Sequence, residues 1–375
     1  MTTLWSRTLS CGSLSVTPTG GISAIDDLFE IAERRNPKRA FLFVSKVLGR
    51  HIPVAPEKMR AVYRQLAEQF PPLSDGPVLF IGMAETAVGL GAGVFDEVRQ
   101  RVREPVYLTS TRHPQQADLL CEFKENHSHA TDHLIYLPDD AQLRQRVLNA
   151  RTLVMIDDEA TTGNTFINLL DALRNDGGLT QIEQVIAVTL TDWSGDALSA
   201  RCPVPVRSVS LVQGDWHWQQ DPDAALPPMP AMVLNDAATV PITGKQRWGR
   251  LGMAAPAGDL GCAIQAQPGE KILVLGSSEF VWEPFLLAER LAAQGAEVKY
   301  SSTTRSPIAT GFAIESAIAF GDNYGLGIAN FVYNVAHQQF DRILLCIETP
   351  VDSVDPLLTT ALAQVAPQVE VISYE

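Results

Sequence analysis

The stretch VMIDDEATTGNTF, Val154 to Phe166, places two adjacent carboxylates after an apolar run and a Thr/Gly-rich turn directly after them. TLVMI has the composition of a buried strand, and FINLLDALRN has the periodicity of an amphipathic helix. The turn is therefore expected at a helix N-terminus, where backbone N–H groups, the helix dipole and Thr hydroxyls can bind a phosphate monoester. The carboxylates would repel that phosphate, so we expect them to point toward hydroxyl donors or a metal ion. A ligand with a phosphate at one end and vicinal hydroxyls a sugar's width away satisfies both demands.

Short apolar strands alternate with helical stretches from Pro77 onward, including PVLFIGM, PVYLTSTR, TLVMIDD and QVIAVTLTD. This alternation predicts an α/β fold with a mostly parallel sheet covered on both faces. Ligands of such sheets collect at the carboxyl ends of the strands. The candidate motifs all fall at such strand ends.

The text from Asp221 to Gly261 is rich in Pro, Gly and Ala and has little helix or strand periodicity. We place a connection between two domains there. Residues 1–235 are the predicted first domain, 236–262 the linker, and 263–375 a second, smaller α/β domain. In the second domain KILVLGSSEF, PFLLAERLAAQG and DRILLCIET again predict strand, helix and strand.

The two predicted domains share a sequence pattern. VLFIGMAET and VYLTSTRHP in the first domain correspond to ILVLGSSEF and VKYSSTTRSP in the second, and MIDDEATTGNT corresponds to LCIETPVDSVD. The hypothesis is that the second domain is a diverged copy that has lost the Asp-Asp pair. The alternative is two unrelated α/β units whose strands and helices look alike.

The composition bounds the class of protein. With 375 residues, 46% of them hydrophobic, the chain can form a large core and two domains. A formal charge of −14 argues against broad nucleic-acid binding, because proteins that bind nucleic acids carry a basic face. No stretch reaches the roughly 18 apolar residues that span a bilayer, and the five cysteines contain no CxxC pair. We expect a soluble cytoplasmic protein with no nucleic-acid or membrane partner.

DDEATTGNT, Asp157 to Thr165, resembles the motif of type I phosphoribosyltransferases that binds 5-phosphoribosyl 1-pyrophosphate (PRPP). The resemblance implies a Rossmann-like parallel sheet with hood segments over the acceptor. It implies that Asp157 and Asp158 hold the ribose 2- and 3-hydroxyls as catalytic residues. The 5-phosphate would bind to Ala160, Thr161, Thr162, Gly163, Asn164 and Thr165. The alternative is a surface turn that only caps a helix.

In this enzyme class a loop after the first core strand wraps pyrophosphate, and a basic residue after a later strand also contacts it. Ala84, Glu85 and Thr86 match the loop, and Arg112 matches the basic residue. A guanidinium suits a diphosphate because it offers a fixed fork of donors. Glu85 departs from an anion-binding loop, and we expect it to point at Mg²⁺ or at the acceptor. The alternative for Arg112 is a solvated loop charge.

Type I enzymes carry a mobile catalytic loop, which here corresponds to CEFKENHSHATDHLIYLP. Lys124, His127 and His129 are the candidate catalytic contacts with pyrophosphate or acceptor, and a histidine there could move a proton. A rival hypothesis is a metal site, because HSHATDH nearly matches the HxHxDH motif of metallo-β-lactamase-type hydrolases, with one residue too many. An inert polar loop is the third alternative.

Thr304-Arg305-Ser306-Pro307 narrows the resemblance. From Leu73 to its C-terminus the chain looks like the orotate phosphoribosyltransferase-like proteins of bacterial tellurium-resistance-type gene clusters, whose C-terminal TRSP domain is named for this motif. A candidate second-domain anion site consists of Thr303, Thr304, Arg305 and Ser306. Trp216 and Trp218 are either a platform for the acceptor or a contact between the domains.

The resemblance implies Mg²⁺-dependent transfer of the 5-phosphoribosyl group of PRPP to a small acceptor of nucleobase type, with release of pyrophosphate. Mg²⁺ enters with PRPP, and we expect no metal site formed by the protein alone. Two other function classes stay open: a PRPP-binding regulator without transfer activity, and a metal-dependent hydrolase that uses the histidine cluster. The sequence identifies neither the acceptor nor the oligomeric state, and a homodimer stays open.

Overall fold

The computed structural model describes residues 4–36, 39–124, 133–225, 227–242 and 248–374. The strands of the first domain are β1 (Trp5–Leu9), β2 (Gly12–Gly21), β3 (Phe29–Glu33), β4 (Phe41–Ser45), β5 (Val78–Gly82), β6 (Pro105–Thr109), β7 (Leu119–Phe123), β8 (His133–Tyr136), β9 (Thr152–Ile156), β10 (Glu159–Ala160), β11 (Gln184–Asp192) and β12 (Val206–Gln220). Its helices are α1 (Ile25–Leu28), α2 (Pro56–Glu68), α3 (Val88–Val98), α4 (Ala141–Leu148), α5 (Asn164–Asn175) and α6 (Ala197–Arg201).

The main sheet has the strand order β1, β2, β12, β11, β9, β5, β6, and the strands from β12 to β6 are parallel. β2 pairs antiparallel with both β12 and β1. Gly82, at the end of β5, is in register with Ile156 of β9 and Thr109 of β6. The carboxyl ends of these three strands therefore lie side by side. The predicted α/β fold with a mostly parallel sheet is confirmed.

The central strands are almost entirely apolar, and all of their residues, including Thr152, are buried. Every residue of β5 and of β9 is buried, and both α3 and α4 pack on β5 and β6. A fully buried Leu, Ile or Phe side chain contributes about 1.5–3 kcal/mol, so these strands form a rigid platform. The loops that follow them are fixed at their first residue.

The second domain has its own parallel sheet. Its elements are β13 (Lys271–Gly276), α7 (Trp282–Ala293), β14 (Glu297–Ser302), β15 (Ala317–Gly321), β16 (Ala329–Tyr333), β17 (Arg342–Ile347), α8 (Pro356–Leu362) and β18 (Gln368–Ser373). The sheet has the order β14, β13, β17, β18, with all neighbours parallel, and β15 and β16 form an antiparallel hairpin. The prediction of a second, smaller α/β domain is confirmed.

Each domain sends a segment across to the edge strand of the other. Val54, just before α2, forms an antiparallel bridge with Tyr300 of β14. Met253, in the connection between the domains, forms an antiparallel bridge with Tyr107 of β6. Each bridge pairs backbone N–H and C=O groups on part of an edge strand, β14 or β6, that would otherwise be unpaired. The two domains therefore pack as one interlocked body.

A strand, a loop, a helix and a second strand recur in both domains with the same anchoring contact. Tyr107 Oη donates to the carbonyl of Val88 at 3.0 Å in the first domain. In the second domain Tyr300 Oη donates to the carbonyl of Val281, also at 3.0 Å. These paired contacts favour the repeat hypothesis, which a superposition of the two sheets would test.

The connection between the domains has two parts. Residues 227–242 have no regular secondary structure, as the Pro-rich text predicts. Trp248 and Arg250 lie inside the predicted linker but are completely buried. This end of the linker is therefore packed between the domains. Among the helices of the described residues, none is long and apolar enough for a bilayer crossing.

Candidate functional site

The site lies where β5, β6 and β9 end. Asp157 and Asp158 follow β9 directly, and the N–H of Asp158 donates to Asp157 Oδ1 at 2.9 Å. The N–H of Met83, which starts the loop after β5, donates to the Ile156 carbonyl at 2.9 Å. This backbone bond places the predicted pyrophosphate loop beside the predicted diol-binding carboxylates. The structure therefore brings together two motifs whose first residues, Ala84 and Asp157, are 73 residues apart in the sequence.

Asp158 lies in a shielded environment. Burial, followed by the charge of Glu159, raises the pKa of Asp158 from 3.8 to about 6. Glu159 is paired with Arg39 of the β3–β4 hairpin, with 2.8 Å between Nη2 and Oε1. This pair connects the hairpin to the acidic motif.

The predicted 5-phosphate loop leads into α5. Gly163 has φ = +71° at the N-cap of the helix, a left-handed conformation that favours glycine. A Cβ on Gly163 would lie 3.2 Å from the Leu198 side chain. Thr161 and Thr162 are exposed, and the first N–H groups of α5 have no intrahelical acceptor. The Thr162 hydroxyl accepts a hydrogen bond from the N–H of Asn164 at 3.4 Å. The exposed Thr161 hydroxyl and the other N–H groups of the first helical turn are the donors that an anion would use.

The predicted pyrophosphate loop contains a carboxylate that is already paired. Glu85 forms ion pairs with Arg50 at 2.5 Å and with Arg305 of the second domain at 3.1 Å. Its Oε1 also accepts a hydrogen bond from Ser278 Oγ at 3.2 Å. The expectation that Glu85 points at Mg²⁺ or the acceptor is not met, because these cations neutralise it within the fold. Ala84 is buried, and Thr86 lines a cavity that also contains Asp158.

Arg112 is held by a buried hydrogen-bond network rather than solvated. Its Nη2 lies 2.9 Å from His133 Nε2, and His133 Nδ1 lies 2.9 Å from Ser110 Oγ. Because a guanidinium only donates, Nε2 of this ring accepts and Nδ1 carries the proton. Ser110 Oγ therefore accepts from His133 and also from the N–H of Ala84, at 2.9 Å. The network fixes Arg112 relative to the pyrophosphate loop.

The predicted catalytic loop is only partly described. Lys124 is exposed after β7, and its carbonyl accepts a hydrogen bond from Asn168 Nδ2 at 2.9 Å. His127 and His129 lie outside the described residues, so their roles stay predictions. His133 uses both ring nitrogens within the protein, which argues against its acting as a metal ligand. Among described residues no group of three or more His, Cys, Asp or Glu is placed to hold a metal ion.

The candidate second-domain anion site faces the first domain. Thr303 Oγ1 accepts from the N–H of Ser278 at 2.8 Å, and Thr304 Oγ1 accepts from the N–H of Ser306 at 3.2 Å. Arg305, the charged member of this set, is paired with Glu85. An anion site in the second domain stays a prediction. Arg305 pairs with Glu85 through Nε, so the carboxylate offsets its charge while its terminal N–H groups can still donate to an anion.

In the second domain, protein side chains fill the space at the strand end that corresponds to the Asp157-Asp158 motif of the first domain. Glu348 follows β17 as Asp157 follows β9, and it is completely buried. Arg250 Nη1 binds this carboxylate at 2.9 Å, and Tyr324 Oη donates to it at 2.9 Å. The Asp355 side chain caps the following helix by accepting from the N–H of Leu357 at 2.9 Å. Protein side chains therefore occupy the space that the first domain leaves open.

A cavity of about 540 Å³, here called the interdomain cavity, lies between the β3–β4 hairpin and the loop after β14. Sequence reasoning named Asp158, Thr86 and Ser306 among its lining residues. It missed Arg34, Arg35, Arg50 and His51. The basic run RRNPKR, at residues 34–39 of an acidic chain, is a signal that could have identified the first two.

The two tryptophans of β12 pack on the β3–β4 hairpin. The ring of Trp216 lies 5.0 Å from the Phe41 ring, and that of Trp218 lies 5.2 Å from it. They support the β3–β4 hairpin from within the first domain. A role as an acceptor platform or as a contact between the domains stays a prediction for both rings.

Comparison with solved structures finds phosphoribosyltransferases. The adenine phosphoribosyltransferase of Rhodothermus marinus is 19% identical and matches 50% of this chain and 94% of that chain, with a TM-score of 0.32. An APRTase from Giardia lamblia complexed with 9-deazaadenine is 14% identical and matches 52% and 98%, with a TM-score of 0.35. The orotate phosphoribosyltransferase of Aeropyrum pernix is 18% identical and matches 46% and 79%, with a TM-score of 0.27. No curated protein sequence matches the chain.

Family models identify both parts of the chain. A model described as phosphoribosyl transferase matches residues 28–215, and a model of the TRSP domain C-terminal to it matches residues 248–364. The first match contains the loops and carboxylates described above, and the second contains the Thr-Arg-Ser-Pro motif. Because the first model spans half of the chain, the chain belongs to the phosphoribosyl transferase family, a class of pentosyltransferases, and carries the TRSP domain at its C-terminal end.

Proposed function

We propose that the enzyme moves the 5-phosphoribosyl group of PRPP to a small acceptor of nucleobase type, with Mg²⁺ and with release of pyrophosphate. The arrangement after β9 carries the proposal. Asp157 and Asp158 stand on one side of a turn, and Gly163 opens α5 on the other. Carboxylates that accept from a diol and N–H groups that donate to a phosphate are thus separated by one short loop.

The acidic and the basic residues of the site bind different parts of PRPP. Asp157 and Asp158 accept hydrogen bonds from the ribose hydroxyls, and the Thr161–Thr165 turn binds the 5-phosphate. Arg112, fixed by His133, binds the departing pyrophosphate and stabilises its charge as the bond to C1 breaks. Positioning and preorganised charge are the main contributions, because positive charge develops on the ribose during transfer.

Mg²⁺ fits this donor set as a partner of the substrate. It prefers oxygen ligands and retains part of its water, so one or two carboxylates suffice when substrate oxygens complete its shell. Asp157 and Asp158 provide such oxygens at the described site. The ion, when bound with pyrophosphate, supplies charge neutralisation.

We place the enzyme in the reducing cytoplasm because its cysteines are free thiols.

Calorimetric titration with PRPP, with and without Mg²⁺, tests the donor site. We expect micromolar binding that needs Mg²⁺ and that Asp158→Asn weakens about tenfold, which corresponds to about 1.4 kcal/mol. Asp196→Asn removes an exposed carboxylate and is the matched control. Folded wild-type protein that does not bind PRPP would contradict the proposal.

Pyrophosphate release with matched acceptor pairs then tests transfer. Orotate and uracil differ by one carboxylate, and nicotinate and nicotinamide differ by a carboxylate against an amide. Release that depends on an acceptor supports the transferase. Tight PRPP binding without release from any broad acceptor panel would support the regulator instead.

A further inference from the structure

The second domain supplies part of the wall of the interdomain cavity. Asp158 and Thr86 of the first domain line this cavity together with Ser306, Pro307 and Ile308 of the second. If Asp158 holds the ribose, an acceptor that reaches C1 has to lie in the adjoining space. A volume of about 540 Å³ is in the range that small-molecule sites occupy.

We propose that the second domain completes the acceptor site, with the Ser306–Ile308 loop as one wall, and that this site takes an acceptor carrying a negative charge. The inference rests on the proposed phosphoribosyl transfer and extends it to the acceptor. It assigns the second domain a part in substrate selection rather than a second reaction.

The charge of the cavity favours an anionic acceptor. Arg34 donates through Nε to the Arg39 carbonyl at 3.1 Å, and Arg35 donates through Nε to the Pro227 carbonyl at 3.0 Å. Neither guanidinium has a carboxylate within ion-pair distance among the described residues. Arg50, in contrast, is paired with Glu85. Arg34 is half-buried, whereas Arg35 is exposed. A half-buried cation without a counter-ion, as at Arg34, is unfavourable, so a carboxylate or phosphate on the acceptor would stabilise it.

His51 adds a polar group that lacks a partner. Its side chain is 8% exposed and lines the cavity, and its Nε2 has no hydrogen-bond partner among the described residues. Burial, followed by the charge of Arg50, lowers the pKa of His51 to about 3, so the ring is uncharged at neutral pH. A buried ring nitrogen without a partner is unfavourable, and a polar atom of the acceptor would satisfy it.

Apolar side chains complete the cavity. Phe43 and Leu42 come from β4, and Ile308 comes from the second domain. A flat ring can pack between such groups while its polar edge meets His51 and the arginines. Arg250 fills the space at the ends of β13 and β17, where it pairs with Glu279 and Glu348. The second domain therefore contributes to substrate binding through the wall that it shares with the first domain.

Thiol labelling tests the wall directly and does not require the acceptor. Ser306→Cys replaces an exposed residue whose Oγ makes no hydrogen bond among the described residues, so folding should be unaffected. Thr310→Cys lies on the same loop, is also exposed and does not line the cavity, which makes it the matched control. Both variants carry Cys262→Ser, because Cys262 is the exposed native thiol.

The reagents are two methanethiosulfonates of similar size, one with a sulfonate and one with a trimethylammonium group. At Ser306→Cys we expect the sulfonate-to-ammonium rate ratio to exceed that at Thr310→Cys by about threefold or more, because uncompensated cations concentrate anions. Arg34→Gln should reduce this ratio. Saturating MgPRPP should slow labelling at Ser306→Cys by about fivefold and leave Thr310→Cys unchanged, since a ligand occupies the shared cavity.

The outcomes separate the two proposals. Titration that shows PRPP binding, together with equal ratios and no protection at Ser306→Cys, overturns the inference and leaves the proposed function standing. Titration that shows no PRPP binding overturns the proposed function and this inference with it. Protection with PRPP but equal rates for the two reagents overturns the anionic acceptor.

Discussion

The ionised carboxylate of Asp158 destabilises the fold, although it is the group proposed to bind the ribose. Its pKa is raised from 3.8 to about 6, mainly by burial, so the folded protein holds a proton that the unfolded chain releases between these values. Stability therefore falls as the pH rises through this window, because the native state keeps a shielded charge. Well below 3.8, the ordinary pKa of this carboxyl, both states are protonated and the effect vanishes.

We predict that Asp158→Asn raises the free energy of unfolding by about 1 kcal/mol at about pH 7.5 and that this gain shrinks toward about pH 4.5. Urea unfolding at both pH values measures it. Asp196→Asn, which changes an exposed carboxylate, should stay within about 0.5 kcal/mol at both. A gain for Asp158→Asn that does not change with pH would contradict the cause assigned to it.

Ser110 is the shared hydrogen-bond acceptor in the network that fixes Arg112. Ser110→Ala removes the acceptor of two buried N–H donors, those of Ala84 and His133. Leaving a buried donor unsatisfied costs about 1–3 kcal/mol, so we predict destabilisation of that size together with weaker pyrophosphate binding. Urea unfolding and pyrophosphate titration measure the two effects. Ser199→Ala, at an exposed site, should change neither; unaltered pyrophosphate binding by Ser110→Ala would show that the network does not position Arg112.

Gly163, in the turn into α5, has a left-handed backbone conformation and a proposed role in phosphate binding. Comparison with Gly178, which has the same conformation, distinguishes the two. Gly163 has φ = +71° and Gly178 has φ = +69°, but a Cβ meets Leu198 at 3.2 Å only at Gly163. Gly163→Ala and Gly178→Ala should each cost about 1–2 kcal/mol of unfolding free energy through left-handed strain. Only Gly163→Ala should weaken PRPP binding, about tenfold or more. Equal PRPP affinities in the two variants would remove the phosphate role of this turn.

The crossing segments extend the likeness between the domains. Gly49 lies against the Tyr300 ring and Gly249 lies against the Tyr107 ring, and an arginine follows each glycine. Arg50 pairs with Glu85 in the loop after β5, and Arg250 pairs with Glu279 in the loop after β13. Reciprocal placement of the same dipeptide favours a duplicated unit over two unrelated ones, and we propose that the chain is a fused pair of such units. A superposition that fails to align these segments would count against it.

Arg250 joins the whole molecule together. It is completely buried, it pairs with Glu279 and Glu348, and its Nε donates to Thr111 Oγ1 of the first domain at 3.0 Å. Burial by itself raises the pKa of Glu279, but His113, Arg250 and hydrogen bonds outweigh it and hold that pKa at about 2. Arg250 therefore forms an ion pair with each of the two buried carboxylates.

We predict that Arg250→Met costs about 3–5 kcal/mol of unfolding free energy, because it leaves buried charges without a partner. Arg103→Met, at an exposed pair with Asp75, should cost at most about 1 kcal/mol. Urea unfolding of both variants measures the difference. Similar small effects would show that this cluster does not hold the domains together.

The sequence by itself determined the parts that depend on neighbours in the chain. The apolar runs of β5 and β9 predicted a parallel α/β sheet, because strands that are buried on both faces consist of nearly continuous apolar residues. DDEATTGNT predicted carboxylates beside an anion-binding turn, since its strand end, glycine and helix start are contiguous. The Thr-Arg-Ser-Pro motif marked the second domain, which the family models confirm.

Tertiary structure decided which distant groups meet. Glu85 pairs with Arg50 and Arg305, and the tautomer of His133 follows from Arg112, because interlocked sheets place residues from separate segments within hydrogen-bond distance. Charge satisfaction in a buried site depends on partners far along the chain, which local sequence patterns do not encode. The cavity shared by the two domains exists only once they pack, and its chemistry is set by that packing.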